Sequence, residues 1–320
     1  MKKPLFFTST MSGMPAKAIR DKRLYESLSE NQQILPRHPQ LSITNTCNLN
    51  CPFCSFKDRD KTKGLSFEEV KEIINMFIQL EMRALTLTGG GEPLCHPKIN
   101  EILSFCREKS ADVSLITNGF LLEELDTESL KALTWCRVSF DDSKSAEDAE
   151  HIAEILRKVC PKAPTVDWSF SYVVLEKQNI EIQSKIISLA ESLNMLNVRF
   201  CPDQNNTKKV NLNLTIENNK NRDICIYDSK PEKDVFPECW VYLLKPFVAA
   251  DGNIYPCCCS QYYSDKKDFQ EDDKICFYKD FGKKLYSMEA FQPKCRKCFF
   301  SHYNEYFNIF LNTIKHEKYE

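Results

Sequence analysis

No stretch of the 320-residue chain stays apolar over anything near the roughly 20 residues that a bilayer-crossing helix needs. That excludes a spanning helix as an organising element. The start, MKKPLFFTSTMSG, offers only Leu5, Phe6 and Phe7 as an apolar run, shorter than the roughly 7–15 residues of a signal-peptide core. A cytoplasmic location is expected. Charge of one sign is missing too: 43 Lys and Arg stand against 45 Asp and Glu, with no long block of either. A nucleic acid or a membrane is therefore not the expected partner. A chain of this length buries a full core in one large domain or two modest ones.

Cysteine is abundant, with 16 residues. Disulfides are rare in the cytosol, so clustered thiols there point to metal ligation or catalysis. Cys106, Cys136 and Cys160 fall in ordinary helix or strand patterns and read as small buried fillers. The stretch TCNLNCPFCS differs. It places Cys47, Cys51 and Cys54 at a C-x3-C-x2-C spacing that no helix or strand face requires, with no fourth thiol nearby. A four-iron cluster usually takes four thiolates, so three would leave one iron open to a ligand. Three thiolates and a water on zinc would make an open site as well. Spacing admits both.

The chain around that loop alternates between two periods. Strands are expected at Leu41–Thr46, Ala84–Thr88, Val113–Thr117, Cys136–Phe140, Val166–Leu175 and Leu196–Cys201. Helices fall between them. One opens at the capping box Ser66-Phe67-Glu68-Glu69, another has Pro97 in its first turn, and others cover 127–133, Ser145–Val159 and Ile180–Leu193. An N-terminal helix is expected around Ile19–Leu28. Six strands alternating with helices argue for a parallel sheet. In barrels of this kind the working residues gather at the C-terminal strand ends. The cysteine loop, Gly89-Gly90-Gly91-Glu92-Pro93, Thr117-Asn118-Gly119, Ser139 with Asp141-Asp142, and Cys201-Pro202-Asp203 all fall there. The glycines allow close approach of backbone to a ligand.

Taken together, Cys47-x3-Cys51-x-Phe53-Cys54, Thr88-Gly89-Gly90-Gly91-Glu92-Pro93 and Thr117-Asn118-Gly119 resemble the radical S-adenosylmethionine superfamily over roughly residues 38–203. The resemblance implies an α/β fold, a partial (β/α)6 TIM-like barrel. It implies a 4Fe–4S cluster on Cys47, Cys51 and Cys54, whose open iron chelates S-adenosylmethionine. One-electron cleavage then gives a 5′-deoxyadenosyl radical that takes a hydrogen atom from substrate. By position, Gly89, Gly90, Gly91 and Glu92 would hold the methionine amino group and Phe53 would flank the adenine. Asn118 and Ser139 would reach the ribose or the carboxylate. Arg199 would pair with the methionine carboxylate, or else be an exposed strand-edge arginine. An electron donor such as flavodoxin or ferredoxin is implied as a partner.

The rest divides into a polar, asparagine-rich connector over 204–236, with a strand near Asn211–Ile216, and a cysteine-rich segment over 237–320. Phe247–Ala250 and Asn253–Tyr255 flank Asp251-Gly252, a hairpin signal. Cys239 and Cys257 lie on either side of the hairpin, and Cys295-x2-Cys298 follows. Four such cysteines would suit zinc on chemistry alone. The layout resembles the SPASM extension in its shortened twitch form, which implies one auxiliary 4Fe–4S cluster on Cys239, Cys257, Cys295 and Cys298. Cys258 or Cys259 would be alternatives to Cys257, and Cys276 a spare. Tyr303, Tyr306, Phe307, Phe310, Leu311 and Ile314 have helical spacing and suit a docking helix.

Enzymes of this layout mostly oxidise, with the auxiliary cluster taking an electron from the substrate radical. The expected substrate is a peptide side chain. The alternative is dehydrogenation of a small polar molecule such as a sugar alcohol or aminocyclitol. A non-enzymatic iron–sulfur carrier would leave the glycine turn and the barrel without a purpose. The segment before the barrel, 1–37, is below the usual ~50–200 residues of a domain, so a peptide-clasping domain is not expected within it. At the end of strand six, Cys201 is a candidate hydrogen-atom donor and Asp203 a candidate base.

Overall fold

The structure is a computed structural model. It describes residue 26, residues 35–206, 208–228, 236–260, 273–287, 290–292, 295, 298–305 and 307–308. The expected helix at Ile19–Leu28 and the tail positions Tyr306, Phe310, Leu311 and Ile314 lie outside the described residues, apart from Glu26, which is helical.

The strands are β1 Gln40–Ser42, β2 Ala84–Thr88, β3 Asp112–Thr117, β4 Leu133–Asp141, β5 Asp167–Val174, β6 Val198–Pro202, β7 Cys225–Tyr227, β8 Phe247–Val248, β9 Asn253–Tyr255 and β10 Cys276–Phe277. The helices are α1 Phe67–Gln79, α2 Ile99–Glu108, α3 Thr127–Lys131, α4 Ala146–Val159, α5 Ile180–Ser192, α6 Asn213–Asn219 and α7 Phe281–Tyr286. The sheet has ten strands in the order β10-β9-β8-β1-β2-β3-β4-β5-β6-β7. From β1 to β7 all neighbours are parallel. This is the expected partial barrel: a mostly parallel sheet, open at both ends, with helices around it.

Local chemistry accounts for the helix starts. The Ser66 and Glu69 side chains cap each other's backbone at α1, and Ser145 with Asp148 does the same at α4. The apolar faces of these helices bury Val70, Ile73, Ile74 and Phe77, and Ile152, Ile155, Leu156 and Val159, against the sheet. Cys106, Cys136 and Cys160 are buried among apolar side chains, as expected of fillers.

Three details differ from the expected elements. Pro97 stands before the N-cap Lys98 of α2 instead of in its first turn. The segment expected to hold a strand at Asn211–Ile216 instead forms α6, with Thr215 and Asn219 buried one turn apart and Leu214 left exposed. The leucine alternation suggested a strand, but helical spacing decides which side is covered. The connector also supplies β7, which pairs with β6 and extends the sheet.

The hairpin at Asp251-Gly252 forms as expected, with β8 and β9 antiparallel and Gly252 at φ +81°. Its attachment is the feature that positions the site. β8 pairs in parallel with β1, Gln40 opposite Phe247 and Leu41 opposite Val248. The cysteine-rich segment thus continues the barrel sheet on the side where the cysteine loop leaves β1. Tyr303 and Phe307 are fully buried in the shared core.

Candidate active site

The loop after β1 is held by main-chain bonds and one arginine. Cys54 N donates to Cys51 O at 3.1 Å, and Leu49 N donates to Cys47 Sγ at 3.4 Å. Arg59 is buried; its Nε donates to Asn45 O at 2.7 Å and its Nη1 to Cys54 Sγ at 3.5 Å and to Phe56 O. Sequence reasoning missed Arg59 because nothing about a lone arginine five residues beyond the last cysteine marks it as buried.

The glycine turn after β2 packs onto that loop. Gly91 N donates to Thr44 O at 3.0 Å and Glu92 N to Thr46 O at 2.8 Å, while Gly90 N donates to Ser42 Oγ at 2.9 Å. A Cβ on Gly91 would run into the backbone of Thr46 and Asn45, and one on Gly90 into the Asn45 side chain. The glycines are thus required by the cysteine loop itself, and not only by a ligand.

Two expected cofactor contacts are engaged within the protein. Glu92 is buried and accepts from Thr117 Oγ1 at 2.7 Å, Asn118 N at 2.7 Å and Leu94 N at 3.1 Å. Burial pushes its carboxyl above the usual range, against the pull of those three donors. It ties the β2 loop to the β3 loop and does not line the cavity beside the glycine turn. Asn118 spends its Nδ2 on Asn48 Oδ1 at 2.7 Å and so ties β3 to the cysteine loop.

All three loop cysteines open on one cavity of about 340 Å³. Phe53, Gly89, Gly90, Gly91, Asn118, Ser139 and Arg199, among the expected cofactor contacts, are also on its wall. β4 contributes Arg137, Ser139 and Asp141 from one face, as the two-residue period of a strand dictates. The cysteine-rich segment contributes Lys245, Phe247, Cys258, Cys259 and Phe300. Burial raises the Cys47 and Cys51 thiols, Cys51 to about 11; the neighbouring Cys54 adds to both, and Cys47 adds to Cys51. Lys144, also on the wall, acts on Cys51 in the opposite sense.

Three expectations need correction. Arg199 is neither exposed nor free to offer its fork to a methionine carboxylate, since its Nε and Nη2 both donate to Asp228 Oδ2, at 3.1 and 2.5 Å. Cys201 is off the cavity wall, with Sγ 3.7 Å from Tyr172 O. Asp203 is off the wall too, and its Oδ1 accepts from Asn205 N. Among the described residues, the carboxylate on the wall is Asp141, which burial pushes above its ordinary range.

The cysteines expected to hold an auxiliary cluster act on one another's thiols. Burial pushes the Cys239 and Cys298 thiols up to about 12, and Cys257 adds to both. Cys295 is raised by burial and then by Cys257, Cys239, Asp273 and Cys298. These four thiols are therefore electrostatic neighbours. Asn304 Nδ2 donates to Cys239 Sγ at 3.7 Å and its Oδ1 accepts from Trp240 N. The sulfurs of Cys258 and Cys259 lie 3.9 Å apart, and both residues are on the cavity wall.

Among the described residues no three His, Cys, Asp or Glu side chains converge tightly enough to hold a single metal ion. A four-iron cluster asks for something else, because each thiolate takes a different iron and the sulfurs stand around the cluster. Cys47, Cys51 and Cys54 around one cavity, with Arg59 on Cys54 Sγ, suit that arrangement.

The profile of the Radical SAM superfamily matches residues 41–173, which run from β1 nearly to the end of β5. That stretch, less than half of the chain, resembles the Radical SAM superfamily, whose members are enzymes. Within it, 88 residues are 39% identical to a probable GTP 3′,8-cyclase of Methanococcus maripaludis, covering 27% of this chain and 29% of that protein. A stretch of 102 residues is 32% identical to the antilisterial bacteriocin subtilosin biosynthesis protein AlbA of Bacillus subtilis, covering 32% of this chain and 22% of that protein. The chain thus spans less than a third of these two relatives. Streptococcus suis SuiB bound to S-adenosylmethionine has the same fold over 74% of this chain and 64% of its own, at a TM-score of 0.56 and 14% identity.

Proposed function

We propose that this protein is a radical S-adenosylmethionine enzyme that oxidises or otherwise modifies a peptide side chain, with a second 4Fe–4S cluster accepting the electron released. The observation that carries the reading is the single cavity shared by Cys47, Cys51, Cys54, the glycine turn and the cysteine-rich segment. A first 4Fe–4S cluster on Cys47, Cys51 and Cys54 would supply reductive cleavage of S-adenosylmethionine and hydrogen-atom abstraction. The protein's own work is holding and excluding. Glu92, Asn118 and Arg59 fix the loops that carry the thiols. Phe53 and the Ser139 hydroxyl remain on the wall for the adenosine portion, and Phe247 and Phe300 add apolar surface to it. Asp141 replaces Asp203 as the candidate base, because it is on the wall. Cys239, Cys257, Cys295 and Cys298 are the proposed ligands of the auxiliary cluster, in a SPASM or twitch arrangement.

The peptide class is supported by AlbA, named for bacteriocin biosynthesis, and by SuiB, whose fold was also solved with the precursor peptide SuiA. A small redox protein of the flavodoxin or ferredoxin kind would deliver the electron. Anaerobically prepared protein should hold about eight irons and eight sulfides. The Cys47→Ala, Cys51→Ala, Cys54→Ala triple variant should hold about half of each. Stoichiometric zinc in place of iron would refute the reading.

A further inference from the structure

Leu41 is fully buried in the core, so the two-residue period of β1 sends Gln40 and Ser42 to the opposite face. Gln40 is on the cavity wall and only 6% exposed. Its main-chain N–H is spent on Pro246 O at 2.9 Å. Its side-chain Oε1 is enclosed, and among the described residues nothing donates a hydrogen bond to it. The neighbours on the same face are engaged elsewhere. Ser42 Oγ accepts from Gly90 N and donates to Thr44 O at 3.4 Å. Thr86, opposite Gln40 on β2, bonds His38 Nε2 through its Oγ1 at 2.8 Å. Phe247, opposite Gln40 on β8, has no polar side-chain group to offer.

A buried carbonyl without a donor costs stability, and most such groups in folded proteins have a partner. Water in a cavity can serve one, but a ligand that displaces the water must bring its own donor or bind more weakly. An ammonium would meet like charge, because Arg137 and Lys245 are on the same wall, Lys245 only two residues before Phe247. A neutral N–H or O–H meets no such opposition. We infer that Gln40 is a substrate-recognition residue, whose Oε1 accepts a hydrogen bond from a neutral donor of the substrate, an amide N–H or a hydroxyl. The inference rests on the reading of this cavity as the place where substrate binds, and a peptide brings both kinds of donor. Gln40 stands two residues before Ser42, about 6.5 Å along the strand, and Ser42 holds the glycine turn through Gly90. A donor held by Gln40 would therefore lie one step behind that turn and limit which C–H bond faces the cysteine end.

Ligand-observed NMR on the full chain, prepared anaerobically with S-adenosylmethionine, tests this with four small probes. N-methylacetamide and 1-propanol carry a neutral donor, N,N-dimethylacetamide carries none, and methylammonium carries a charged one. At least one neutral donor should bind saturably, about fivefold tighter than N,N-dimethylacetamide, and Gln40→Met should remove that advantage. Tighter binding of N-methylacetamide than of 1-propanol would assign the site to an amide, and the reverse order to a hydroxyl; both support the inference. Without probes, Gln40→Met should melt no lower than the parent, since the unpartnered carbonyl is gone while the side chain's bulk is kept. A clearly lower Tm would make Gln40 a structural residue and overturn its role. So would N,N-dimethylacetamide binding as tightly as the neutral donors, an advantage that survives in Gln40→Met, or no saturable binding of either neutral donor. Methylammonium binding tightest would make this a cation site, and donor binding seen only without S-adenosylmethionine would give Gln40 to the cofactor; each result overturns the inference. None of these measurements depends on cofactor cleavage, so failure of the radical-enzyme reading would show separately, as absence of cleavage by the parent protein.

Discussion

Arg59 holds the cysteine loop through two main-chain carbonyls and one thiol, from a buried position. Arg59→Met leaves the Asn45 and Phe56 carbonyls without that donor. Urea unfolding should show a loss of about 1–3 kcal/mol. The same change removes an N–H and a positive charge from a cluster ligand, so a redox titration should find the first cluster's midpoint potential lower. Arg59→Lys keeps the charge but not the fork and should fall between the two. Gly91 makes a related point. Gly91→Ala should lower stability by about 1–3 kcal/mol in the same unfolding experiment, because the new methyl meets the backbone of Thr46 and Asn45. Weaker cofactor binding with intact stability would mean that the ligand alone requires the glycine. At this scale the cysteines and the glycine turn were legible because their spacing is local. Arg137, Arg199 and Lys245 were not: each looks like an ordinary charged residue, and only the parallel order of β4, β6 and β8 in the sheet brings them to one cavity.

The β8–β9 hairpin joins the cysteine-rich segment to the barrel through the pairing of β8 with β1. Gly252 makes its turn at φ +81°, where a Cβ would meet the Phe277 ring. Gly252→Ala should cost roughly 1–2 kcal/mol from the left-handed backbone, plus the displacement of that ring. Hydrogen exchange should then rise first in β8, β9 and β10, with β2 to β5 still protected. Uniformly faster exchange through β5 would mean that the hairpin is part of the barrel's own cooperative unit. Strands β2 to β6 were legible because each is a run of apolar or alternating residues between turn signals, and Ser66 and Ser145 announced their helices. β7 was not, since Cys225-Ile226-Tyr227 sits in an asparagine-rich stretch and becomes a strand only through its pairing with β6. The leucines of α6 misled for the same reason: tertiary contact, not alternation, decided which residues were covered.

On the scale of the whole molecule, one sheet joins the two cysteine-bearing segments, and Cys47, Cys51 and Cys54 share a cavity with Cys258 and Cys259. The sets should be separable. Cys295→Ala with Cys298→Ala should leave about four irons on the first site, with S-adenosylmethionine still cleaved and product formation lost. Normal product formation in that variant would reduce the second set to a structural role. The central claim is that Cys47, Cys51 and Cys54 make this chain an S-adenosylmethionine-cleaving enzyme. It is tested most directly by reducing the iron-loaded protein anaerobically with S-adenosylmethionine and measuring 5′-deoxyadenosine. The account predicts at least one 5′-deoxyadenosine per protein from the parent chain and none from the Cys47→Ala, Cys51→Ala, Cys54→Ala variant. An iron-loaded, reduced parent protein that forms no 5′-deoxyadenosine would contradict it.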